Sequence, residues 1–138
     1  MRAALEVVAS DVRAWFEAYL DLFRGLGCGE RTDLESILGF YGVPLAIVTE
    51  DRYVALPDRA AVLGTTKHVI DQLIRAGYAG GAIHKLDVRP LNARAALVEG
   101  AFSRIDRSGV EFERVDATYL ALKTDDGWRI TSIVLTAP

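Results

Sequence analysis

The sequence predicts an α+β domain: three N-terminal helices packed in the concave face of a strongly curved, mostly antiparallel sheet, a cone-shaped α+β barrel. Three observations predict it. Helical periodicity is confined to the first half of the chain, strand-type composition fills the second, and hairpin residues separate the late runs. The length, 138 residues, fits one domain over 1–138.

Leu5, Val8, Val12, Trp15, Phe16, Tyr19, Leu20 and Phe23 recur at three- and four-residue steps, which predicts a first helix with one broad apolar face. Gly25, Gly27 and Gly29 stop it. Thr32-Asp33-Leu34-Glu35 spells a capping box, with Thr32 accepting from the Glu35 amide, and starts a short second helix ending near Gly39. Tyr41 to Leu56 reads as a short hairpin whose corner is Thr49-Glu50-Asp51-Arg52. A third helix opens at Pro57-Asp58 with Asp58 as N-cap, puts Val62, Val69, Leu73 and Ile74 inside, and ends in Ala76–Gly81. Four strands follow, at about Ala82–Pro90, Ala93–Asp106, Val110–Lys123 and Trp128–Thr136, with Ser108-Gly109 and Asp126-Gly127 in the turns. Their length suits a bent sheet, and a bent sheet around helices leaves a mouth where small molecules bind.

Composition excludes several classes. Formal charge is −3 with no basic stripe, which argues against a general nucleic-acid binder. The apolar runs are too short to span a bilayer, and Glu6 and Asp11 interrupt any signal-peptide core. Cys28 is the single cysteine, so no internal disulfide forms and a cytoplasmic location is expected. His68 and His84 fall on different elements without a Cys/His cluster, so neither a metal nor another cofactor is expected. Gly25-x-Gly27-x-Gly29 follows a helix and does not spell a phosphate loop.

The order of elements, with Glu17-Ala18-Tyr19-Leu20-Asp21-Leu22-Phe23, Gly39-Phe40-Tyr41 and Asp125-Asp126-Gly127-Trp128-Arg129-Ile130, resembles the SnoaL-like, nuclear-transport-factor-like (cystatin-like) cone superfamily over essentially the whole chain. Its members include ketosteroid isomerases, polyketide cyclases, scytalone dehydratases, limonene epoxide hydrolases and non-catalytic proteins, so the resemblance implies a fold and leaves the chemistry open. Tyr19 matches the tyrosine with which ketosteroid isomerases hold the enolate oxygen. Their general base falls on Thr49 or Glu50 and their second acid near Thr118, so two of those three positions differ. Arg104-Ile105-Asp106 and Arg114-Val115-Asp116 each spell the Arg-x-Asp of limonene epoxide hydrolases, without the accompanying aspartate on the last strand.

Alternate residues of a strand face opposite sides. Around Val115 the inward set is either Phe112, Arg114, Asp116, Thr118 and Leu120, or Glu113, Val115, Ala117, Tyr119 and Ala121. The isomerase comparison puts Thr118 inside, with Asp116 and Arg114 as a charged pair. Glu99 is a base raised by burial if it faces inward, and a solvated carboxylate if Val98, Gly100 and Phe102 do. His84 shares the parity of Leu86 and Val88, as a proton-moving group or a satisfied core histidine.

The expected function is a small-molecule pocket for an apolar, oxygenated ligand, with the alternative of a non-catalytic ligand-binding or accessory cone. If it is an enzyme, Glu99 or His84 moves the proton and Tyr19 supports the oxyanion. Arg114 and Asp116 orient substrate or water, while Trp15, Tyr41 and Thr118 contact the substrate. A homodimer through the outer sheet face is expected, because Val115, Tyr119 and Ala121 would leave that face partly apolar.

Overall fold

Helix α1 runs from Arg2 to Gly27 in the computed structural model, which describes residues 2–137. Val12, Phe16, Tyr19, Leu22 and Leu26 form its buried stripe, and their alternation of three- and four-residue steps holds that stripe against the sheet. Gly29 closes the helix with φ 78°, donating its N–H to the Leu26 carbonyl, a conformation glycine adopts without steric cost.

The second helix is a 3-10 helix, Leu34–Gly39, and the expected capping box does not form. Arg31 takes the Asp33 carboxylate through two hydrogen bonds, and Arg59 draws Glu35 away at 3.0 Å. The two acids of the segment are therefore spent on guanidinium groups, which bind carboxylates more strongly than a backbone amide does. Strands β1 (Tyr41–Val48) and β2 (Tyr53–Leu56) make the hairpin. Helix α2 spans Arg59–Arg75, and Asp58 caps it by accepting from the Ala61 amide at 2.8 Å, as the sequence indicates. Its inner face is Val62, Thr66, Ile70 and Leu73; Ile74, expected inside, is exposed.

Strands β3 (Tyr78–Asn92), β4 (Ala95–Asp106), β5 (Glu111–Thr124) and β6 (Gly127–Leu135) complete one sheet of order β2-β1-β6-β5-β4-β3. Every pairing is antiparallel except β1 with β6. β3 begins four residues before the predicted start, because Gly77 alone makes the turn (φ 74°) and the glycines after it enter the strand. Tyr78 is buried and lies against Gly27, where a side chain on α1 would collide with its ring.

Register settles which parity faces the helices, because directly opposed residues share a face. Val98 opposes Tyr119, Gly100 opposes Ala117, Phe102 opposes Val115 and Arg104 opposes Glu113. This set carries the core, with Val98 and Ala121 at 0% exposure. The other set, Leu97 with Leu120, Glu99 with Thr118, Ala101 with Asp116 and Ser103 with Arg114, lies on the convex face.

Candidate functional site

Between α1, α2 and the concave face lies a cavity of about 510 Å³, within the range of small-molecule sites. α1 contributes Tyr19 and Phe23, β1 Tyr41, β5 Tyr119, and β4 Phe102 and Arg104. A second hollow of about 670 Å³ lies along β1 and the β5–β6 turn. Its walls include Val43 and Tyr53, 45% and 70% exposed, and it is the more open of the two hollows.

Tyr19 is placed in the cavity by the α1 stripe, and Tyr41 by the start of β1. Their hydroxyls are 2.7 Å apart and buried. The Tyr19 ring also packs near Tyr119, Phe16 and Phe23, and Phe16 meets Tyr119 edge-on at 4.8 Å, a favoured aromatic geometry. Burial, reinforced by the neighbouring tyrosines, pushes the Tyr19 hydroxyl well above its ordinary pKa. Burial pushes Tyr41 up to about 12 and raises Tyr119. All three stay neutral at physiological pH and act as hydrogen-bond donors or acceptors, not as bases.

Arg104 is the cation of the cavity wall. Its guanidinium lies 5.5 Å from the centre of the Phe23 ring, within cation–π range, and donates to Glu113 at 2.7 Å. In the sequence Arg104 stands out only as part of an Arg-x-Asp spelling near a turn and not as a site residue. Its parity, continuing Val98, Gly100 and Phe102, is the signal that places it inside. Tyr119 and Glu113 belong to the alternative β5 set, which the register selects.

The other expected site residues stand elsewhere. Glu99, Arg114, Asp116 and Thr118 are on the convex face, so their inward placement is corrected. Glu99 accepts from Lys85 at 2.9 Å, and that hydrogen bond lowers its pKa, the opposite of the shift expected for a buried base. Arg114 and Asp116 do come together, at 3.8 Å, away from the cavity. The physical reason is steric. The concave face must accept helices, and the parity with Gly100, Ala117 and Ala121 leaves that room, whereas the charged parity can remain hydrated.

His84 is exposed in a bulge of β3 between Ile83 and Lys85, which breaks the parity with Leu86 and Val88. Its Nε2 lies 2.5 Å from the Ser103 hydroxyl, which donates to Glu111. A hydroxyl has one proton to give, so the imidazole Nε2–H is the donor to Ser103. Trp15 packs on Phe40, ring centres 5.8 Å apart, and does not line the cavity. Val115, Tyr119 and Ala121, which suggested an apolar outer face, point inward; ion pairs occupy part of the convex face instead.

A curved sheet closed over helices around an aromatic cavity defines the cystatin-like, nuclear-transport-factor-like class. The chain belongs to the family of NTF2-like proteins designated DUF6841, whose model matches residues 9–138. Three solved structures share the fold. An NTF2-like protein of unknown function from Pseudomonas putida KT2440 is 12% identical, with TM-score 0.73 over 96% of this chain and 88% of that one. A domain of unknown function with a cystatin-like fold from Nostoc punctiforme is 20% identical, with TM-score 0.66 over 94% and 76%. An NTF2-like protein of unknown function from Shewanella oneidensis MR-1 is 16% identical, with TM-score 0.68 over 91% and 95%. No curated protein matches the chain. Among the described residues no helix is long and apolar enough to cross a membrane.

Proposed function

We propose that this chain is a small-molecule-binding cone whose cavity takes a largely apolar ligand bearing an oxygen acceptor. The observation that carries the reading is the buried Tyr19–Tyr41 hydroxyl pair. Two hydroxyls have two protons, and their mutual hydrogen bond uses one. The second O–H is available to a carbonyl, ether or hydroxyl oxygen of a ligand, in surroundings where leaving it unpaired is costly. The remaining wall is mostly apolar, with Leu45, Ile47, Leu56, Phe102 and Val115 supplying contact area. Binding is favoured over acid–base turnover because Glu99, Asp116 and His84 stand outside the cavity, the tyrosines are held neutral, and the Glu113 carboxylate at the wall is paired with Arg104.

The test is a thermal-shift screen of the purified protein against ketones, alcohols and hydrocarbons of matched size. An oxygen-bearing ligand at a hundredfold over its Kd should add about 2.7 kcal/mol of stability. Tyr41→Phe should weaken that ligand by up to about tenfold, the scale of one hydrogen bond, and leave a hydrocarbon analogue unchanged. A panel without any shift would overturn the reading and favour an accessory or assembly role for the cone.

A further inference from the structure

Arg104 presents a chemistry that the tyrosine pair does not need. Its side chain is 20% exposed, so its charge has lost most of its hydration and requires an anion nearby. Glu113 provides one, but through a single hydrogen bond from Nη1. Among the described residues no hydrogen bond from Nε or Nη2 to protein is found, although a guanidinium presents five N–H donors in a fork that fits a carboxylate two at a time.

The two partners are not held equally. Arg104 is fixed against the face of Phe23, which α1 anchors. Glu113 is 49% exposed at its side chain, lies near the start of β5, and makes no other hydrogen bond among the described residues. Of the two charges, the carboxylate is the one that can return to water at little cost. Phe102 and Val115 flank the pair inside the cavity, so an apolar chain has contacts on both strands next to the guanidinium.

We infer that Arg104 is the anchor for an anionic headgroup, so that the cavity takes an amphiphilic carboxylate whose oxygens replace Glu113 on the guanidinium fork. This rests on the proposed ligand-binding cavity and names the class of its ligand. Asp21 and Arg24 also line the cavity, but the Arg24 side chain is 45% exposed and keeps its hydration, whereas Arg104 has lost most of its own. Arg104 is therefore the cation best placed to receive a ligand inside the cone.

The experiment compares octanoate, octanol and octylamine by titration calorimetry on the same protein. Octanoate is expected to bind about tenfold more tightly than octanol, and octylamine more weakly than either. Arg104→Gln should remove the advantage of octanoate while octanol affinity persists. Glu113→Gln, which frees the guanidinium without deleting it, should tighten octanoate and serves if Arg104→Gln does not fold. Equal binding of octanoate and octanol would overturn the anionic anchor and leave the cavity intact. Preference for octylamine would overturn it in favour of Glu113 as the anchor. Binding of none of the three to the wild type would remove the cavity reading together with this inference.

Discussion

At the scale of single residues, the tyrosines of the cavity report on both site and stability. A tyrosine in an unfolded chain ionises near pH 10, whereas burial holds Tyr41 at about 12 and pushes Tyr19 well above its ordinary value. Above pH 10 the unfolded state therefore loses protons that the folded state keeps. The sign follows from linkage: with fewer protons on the unfolded chain, stability falls as pH rises from about 10 toward the folded-state values. Alkaline titration followed by tyrosinate absorbance and near-ultraviolet circular dichroism should show Tyr19 and Tyr41 ionising together with loss of tertiary structure. Ionisation of all five tyrosines near pH 10 with the dichroism unchanged would mean the hydroxyl pair is not sequestered.

At the scale of elements, β4 shows how one strand positions both the core and the site. Its inner parity runs from Ala96 through Val98, Gly100 and Phe102 to Arg104, passing from fully buried aliphatic to cavity wall. Gly100 belongs there for packing: a Cβ would overlap the Phe102 ring. Gly100→Ala should drive that ring toward the cavity, at a cost of about 1–3 kcal/mol typical of overpacking. Thermal denaturation would read the cost. A size series of ligands should show the largest losing affinity first, and unchanged affinity across the series would mean Phe102 does not bound the space. The elements themselves were largely legible. Both α-helices, the hairpin and the late strands follow from periodicity and turn residues, and Asp58 caps α2 as its position suggests. The missing capping box was not legible, because it depends on a partner from another element, Arg59 beside Glu35. The early start of β3 was not, because Gly77 alone makes the turn and the glycines after it, read as part of the turn, belong to the strand.

At the scale of the whole molecule, stability should be graded across the sheet. β4 and β5 are each paired on both sides and carry Ala96, Val98, Ala117, Tyr119 and Ala121, all buried. β2 is a four-residue edge strand with Tyr53 exposed. Hydrogen exchange should therefore find the slowest amides in the middle of β4 and β5 and the fastest strand amides in β2, since local opening follows contact density and burial. Uniform protection over the six strands would contradict this grading. The cavity lies between α1, α2 and the concave face, so its walls join elements that periodicity treats separately.

The sequence by itself determined the class of fold and the order of its elements. Those depend on local spacing and on helical parity, which one chain segment specifies alone. Which face of β4 and β5 looks inward was decided only by tertiary structure. Both parities of β5 mix polar and apolar residues, so neither declares itself core. Pairing with β4 and the space required by α1 choose the parity containing Ala117, Tyr119 and Ala121. That choice sends Glu99, Arg114, Asp116 and Thr118 to the convex surface, where charge stays hydrated, and brings Arg104 and Glu113 to the cavity wall.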